Sequence, residues 1–210
     1  MPETYPLGLS LLDFIPNIAF LVGAYFLVAL ALRERGRRCG RMAMAGGLLV
    51  FLGGFLKAIW KMLYTLNVAD VQILSQIQFV LLAPGFLALL VTVILLARQR
   101  KVDAGSAAGP GAPVAAMAAW KIPFLAIMTL CSLGAQGILT YVAFRRGQKL
   151  AAACFIAAFL ALFAMGGMSS AEQTLAQQWI EEIVNTLGQL SFMLGSILLY
   201  RQSRSRQAPC

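Results

Sequence analysis

The sequence predicts an all-α polytopic membrane protein of six transmembrane helices, arranged as two three-helix repeats of inverted orientation. Three observations carry this reading. Of 210 residues, 60% are hydrophobic and only 12% are charged, with mean hydropathy +0.79; a soluble domain is nearer half apolar and one quarter charged. The apolar residues fall in blocks of spanning length, about 20 residues. The order of features also recurs in the two halves: helix, basic loop, small-residue helix, polar loop, helix, basic end.

The spans are expected at about 12–32, 42–64 and 73–97 in a first repeat, 1–101, and at about 121–144, 150–168 and 180–200 in a second, 115–210, which ends in a short basic tail. Backbone exposed to lipid has to satisfy its own hydrogen bonds, so each span is a helix. Between the repeats, 102–114 reads "VDAGSAAGPGAPV", rich in Gly, Ala and Pro. It is too polar and too broken to span, and reads as a flexible linker.

An ungapped alignment of Gln78–Gln99 with Glu181–Gln202 pairs Gly85 with Gly188, Leu87 with Leu190, the two "ILL" triplets, and Arg98-Gln99 with Arg201-Gln202. Arg35-Gly36 after the first span resembles Arg146-Gly147 after the fourth. Three crossings per half turn the second half upside down, the inverted-repeat plan of many transporters. Under that plan nine basic residues lie on one face (Arg33, Arg35, Arg37, Arg38, Arg41, Arg98, Arg100, Lys101 and Lys121) and eight on the other. The positive-inside rule then barely selects an orientation. In a second reading 112–144 dips into the membrane and returns, leaving only Lys57 and Lys61 off the basic face. Spanning length favours the first.

The basic residues cluster beside apolar blocks, and the net charge is +9. That placement implies anionic lipid headgroups as partners rather than nucleic acid, for which no motif is present. The amino terminus lacks a basic region and carries Glu3 and Asp13, unlike a signal peptide. Arginines follow the first span, which predicts an amino terminus outside the cytoplasm.

Histidine is absent, and the four cysteines, Cys39, Cys131, Cys154 and Cys210, form no CxxC pair. No metal or other cofactor is implied. No GxSxG, P-loop or HExxH motif occurs, so catalysis has little support. An enzyme acting on a lipid within the membrane is the weakest of the classes left open.

Polar residues within the spans carry the functional expectation, because amides and charges at such depth face a cavity or another helix. Gln78 and Gly85 are seven apart on one face of the third span, and Glu181 and Gly188 repeat the spacing in the sixth, with Asn185 and Gln189 a turn apart. Gln76 joins them in the third span and Gln136 lies in the fourth. Pro84-Gly85 stands midway along the third span, where a broken helix would mark a transporter site. Gln76, Gln78, Pro84, Gly85, Gln136, Glu181, Asn185, Gly188 and Gln189 are thus candidates to line a pathway.

At the other end of the scale is Asp13, at the start of the first span. It either caps that helix or pairs with Lys57. Lys57 and Lys61 are both expected to reach the headgroups, with Trp60 and Tyr64 in the aromatic belt. Small residues in the second span (Gly46, Gly47, Gly53, Gly54) and the fifth (Ala157, Ala158, Ala161, Ala164, Gly166, Gly167) permit close helix contact.

The expectation is a small carrier or channel for a small solute or ion, working alone or as a homo-oligomer. The alternative is a non-transport scaffold, accessory subunit or lipid-interacting protein.

Overall fold

In the computed structural model, residues 6–98, 121–168 and 174–205 are described, without the side chains of 121–123. The linker expected at 102–114 lies outside them. The elements are α1 (Leu7–Leu12), α2 (Phe14–Arg35), α3 (Arg37–Thr65), α4 (Gln72–Ala97), α5 (Lys121–Arg145), α6 (Lys149–Met168) and α7 (Leu175–Ser205). Six of the described helices, with α1 and α2 taken as one, are long and apolar enough to cross a membrane. This is the all-helical arrangement expected. The helices run past the apolar blocks, most clearly at Arg33–Arg41, because arginine is a good helix former once the chain leaves the hydrocarbon.

Gly36 ends α2 with φ 82 and its N–H donates to the carbonyl of Leu32 at 3.1 Å. Gly147, with φ 72, does the same work between α5 and α6. Both are left-handed positions that favour glycine and let two long helices fold back on each other.

The long helices form a closed ring, each packed on the next, with α7 returning to α2. Tight packing comes from small residues on the inner faces. Gly46, Gly47, Val50, Gly53, Ala58 and Lys61 lie on the buried side of α3. Large apolar side chains point outward instead: Leu130, Leu150 and Phe163 are 69%, 75% and 67% exposed. Such a surface belongs against lipid.

Contacts at the helix ends fix the directions. At one end the start of α2 meets the end of α3 and the start of α7, through Asp13, Lys61 and Glu182. At the other, Arg35 Nη2 donates to the Leu96 carbonyl at 3.3 Å. There Arg146 pairs with Glu34, and Gln202 Nε2 donates to the Arg146 carbonyl at 3.3 Å. Hence α2, α4, α5 and α7 all finish at this Arg146 end, while α3 and α6 finish at the Lys61 end.

The expected inversion is therefore corrected. The inverted plan requires α2 and α5 to run in opposite senses, and they run the same way, as do the neighbours α4 and α5. Leu90 of α4 packs against Gly134 of α5, in step with Leu96 beside Val142.

The charge count changes with it. Eleven described basic side chains belong to the Arg146 end: Arg33, Arg35, Arg37, Arg38, Arg41, Arg98, Arg145, Arg146, Lys149, Arg201 and Arg204. Two, Lys57 and Lys61, belong to the Lys61 end. The near-even split expected from inversion is replaced by strong sorting. α5 nevertheless keeps its spanning length and does not turn back within the bundle.

Candidate functional site

Three features line up along the ring: a charged cluster at the Lys61 end, a small cavity inside, and an open polar space at the Arg146 end.

The cluster is built where the two halves of the chain meet. Lys61 Nζ lies 2.8 Å from Asp13 Oδ2 and 3.2 Å from Glu182 Oε1. All three residues are buried, at 5%, 7% and 8% exposure for Asp13, Lys61 and Glu182. One ammonium thus serves two carboxylates away from water, where partnering is what offsets the desolvation of each. Ser10 and Thr65 share a hydrogen bond of 2.6 Å beside it.

Two expectations change here. Asp13 makes no side-chain cap on α2, and its partner is Lys61 rather than Lys57. One turn decides the matter: Lys57 is exposed and Lys61 is buried, so only Lys57 is placed for the headgroups. Trp60 and Tyr64 stack at 5.9 Å, and Trp60 donates to Asp70 at 3.1 Å.

The inner cavity measures about 50 Å³ and is walled by α2, α4, α5, α6 and α7. This is room for one or two waters. Its polar lining is Ser132, Gln136, Asn185 and Gln189, set among Phe20, Phe86 and Phe192. Phe20 stacks on Phe192 at 5.6 Å, and Gly23 makes room, since a Cβ there would meet Phe192 at 2.7 Å. The Gln136 side-chain oxygen is buried with no hydrogen-bond partner among the described residues, which suits a polar occupant of the cavity.

Gln136, Asn185, Gly188 and Gln189 come together at this cavity. Gln76, Gln78, Pro84, Gly85 and Glu181 do not line it. Gln76, Gln78 and Glu181 are half-buried elsewhere on their helices. Pro84 is exposed on the outer face of α4, which runs through it from Gln72 to Ala97 without ending. Gly85 is buried against α3, where a Cβ would stand 2.7 Å from Val50. Gly188 packs on α6, where a Cβ would stand 2.8 Å from Ala161. Both glycines therefore serve close approach of neighbouring helices, and Gly188 also borders the cavity.

At the Arg146 end, a polar space of about 450 Å³ opens between the ends of α2, α4, α5 and α7. Arg146 holds Glu34 through two hydrogen bonds of 2.6 and 2.7 Å, the paired geometry that guanidinium and carboxylate favour. Sequence reasoning did not pick out Ser132, Lys61 as the buried lysine, or the Glu34–Arg146 pair. Glu34 did carry a signal, as the one carboxylate inside the run Arg33–Arg41.

Among the described residues, no group of three His, Cys, Asp or Glu side chains is placed to hold a metal. The helices and their apolar outer surface define the class: an all-helical, multi-pass integral membrane protein. Comparison with protein-family models, with curated proteins and with solved structures returned no match.

Proposed function

We propose that the protein is a small carrier or channel for a small polar solute or ion. The observation that carries the reading is the cavity at the heart of the helix ring, where the amides of Gln136, Asn185 and Gln189 meet among aromatic walls. Half-buried amides within the span are costly unless they serve a partner. The polar space at the Arg146 end would be the open mouth, and the Asp13–Lys61–Glu182 cluster the closed one. A ring closed by charged contacts at one end and open at the other fits a pathway that alternates between faces.

Flux into proteoliposomes, screened over small polar solutes and ions, tests this. Replacing Gln136, Asn185 and Gln189 with Leu, Leu and Met should abolish a flux that wild type supports. Flux that survives these changes, in a protein that still folds, would remove the cavity from the pathway.

We further infer that the halves are repeats of like, not inverted, orientation. Gly36 and Gly147 make equivalent turns, Gly85 and Gly188 make equivalent helix contacts, and the ring order is the same in both halves. Repeats related by an axis along the membrane normal are also used by transporters. The sorting of basic side chains to the Arg146 end supports placing that end in the cytoplasm and the amino terminus outside.

A second reading, an accessory or scaffold subunit, is favoured by one observation. Ala153, Ala157, Ala164 and Gly167 share an exposed face of α6 with Leu160 at its centre, small residues around one leucine that suit another membrane helix. A partner or second copy retained at fixed stoichiometry, and lost on Ala157→Leu with Ala164→Leu, would support it.

A further inference from the structure

The space at the Arg146 end has chemistry of its own, independent of whether a solute crosses the ring. Arg33 enters it from α2, Arg145 from the end of α5, and Arg146 from the turn that follows. Among the described residues of the lining, Glu34 is the one carboxylate beside three arginines. The volume, about 450 Å³, falls within the range of small-molecule sites, roughly 300–1,000 Å³.

Two of the three guanidinium groups are held in position. Glu34 fixes Arg146 through two hydrogen bonds. Arg145 lies over the Tyr141 ring at 5.8 Å and donates to its hydroxyl oxygen at 3.4 Å. Gln202 closes the wall by bonding to the backbone of Arg146. Four helix C-termini converge here, and their partial negative charge attracts cations. That accounts for basic residues at this end, but not for a concave space that draws them from both α2 and α5. A cleft lined by one sign of charge concentrates ions of the other sign, and planar guanidinium forks match the oxygens of a phosphate.

We propose that this vestibule is a binding site for a phosphate-class anion, carried either by a lipid headgroup or by a free solute.

The test uses the full chain in nanodiscs, with two probes. One is inorganic phosphate, titrated calorimetrically into discs of phosphatidylcholine. The other is phosphatidylglycerol, mixed with phosphatidylcholine in the discs, with lipid retained on the protein counted by native mass spectrometry. Wild type is compared with the double variant Arg33→Gln, Arg145→Gln and with Arg201→Gln, Arg204→Gln, which removes equal charge from the same end outside the vestibule. Arg145→Lys keeps the charge but loses the fork, and serves if the double variant fails to fold.

The expected result is saturable binding of at least one probe, weakened about tenfold or more by the vestibule change and by less than about twofold by the outer change. Phosphate binding alone identifies a free solute; phosphatidylglycerol retention alone identifies a headgroup. Equal weakening by both charge removals, or no saturable binding of either probe, overturns the site.

Discussion

The ammonium of Lys61 lies 3.2 Å from Oε1 of Glu182, joining α3 to α7 across 121 residues of sequence. Asp13 approaches the same ammonium from the start of α2. Removing the lysine leaves two buried carboxylates facing each other. Lys61→Met should therefore cost about 3–5 kcal/mol, read as a large drop in the thermal unfolding midpoint in detergent. The triple change Asp13→Asn, Lys61→Met, Glu182→Gln should recover much of that loss. A triple variant no more stable than Lys61→Met would show that the three groups do not act as a unit.

The Glu34–Arg146 pair links α2 to the turn after α5 at the opposite end. Its side chains are 20% and 19% exposed, so its strength should be modest. A double-mutant cycle with Glu34→Gln and Arg146→Gln should give a coupling of about 1 kcal/mol. Additive effects of the two changes would argue against the pair as a structural link.

Pro84 and Gly85 should separate cleanly. Pro84 faces outward and the helix continues through it, so Pro84→Ala should change stability by less than about 1 kcal/mol. Gly85→Ala and Gly188→Ala push a methyl into Val50 and Ala161 respectively, and should each cost about 1–3 kcal/mol. Unfolding midpoints of the three variants check the order. A greater loss from Pro84→Ala than from Gly85→Ala would reverse the assignment.

The parallel course of α4 and α5 makes a topological prediction. In a chain with the native cysteines changed to alanine, cysteine pairs at Leu90 and Gly134 and at Leu96 and Val142 should each be joined by a short bifunctional thiol reagent, a combination that antiparallel helices do not allow. A fluorescent reporter fused after the last residue should lie in the cytoplasm, because the arginines of α7 share the basic end. An active periplasmic-type reporter at that position, with a silent cytoplasmic one, would reverse the orientation.

Much of the site was legible as residue type but not as partnership. The amides Gln136, Asn185 and Gln189 stood out because polar groups inside apolar spans are costly, whatever the arrangement of the helices. Gln76, Gln78 and Glu181 carried the same signal and lie elsewhere, because seven-residue spacing puts residues on one face without saying which face turns inward. Asp13 invited a lysine partner, yet Lys57 and Lys61 differ by one turn, and only packing against α2 and α7 selects between them.

The sequence by itself determined six helices, their approximate bounds and the small-residue faces that let helices approach closely. Those follow from local physics: backbone hydrogen bonding in lipid, spanning length, and the small volume of glycine and alanine. Tertiary structure decided the rest. It set the like direction of α2 and α5, gathered eleven described basic side chains at one end, turned Pro84 outward, and brought Lys61 to Asp13 and Glu182. Direction depends on which helix ends pack together, and pairing depends on which helix faces meet. Neither is written in the pattern of any one segment.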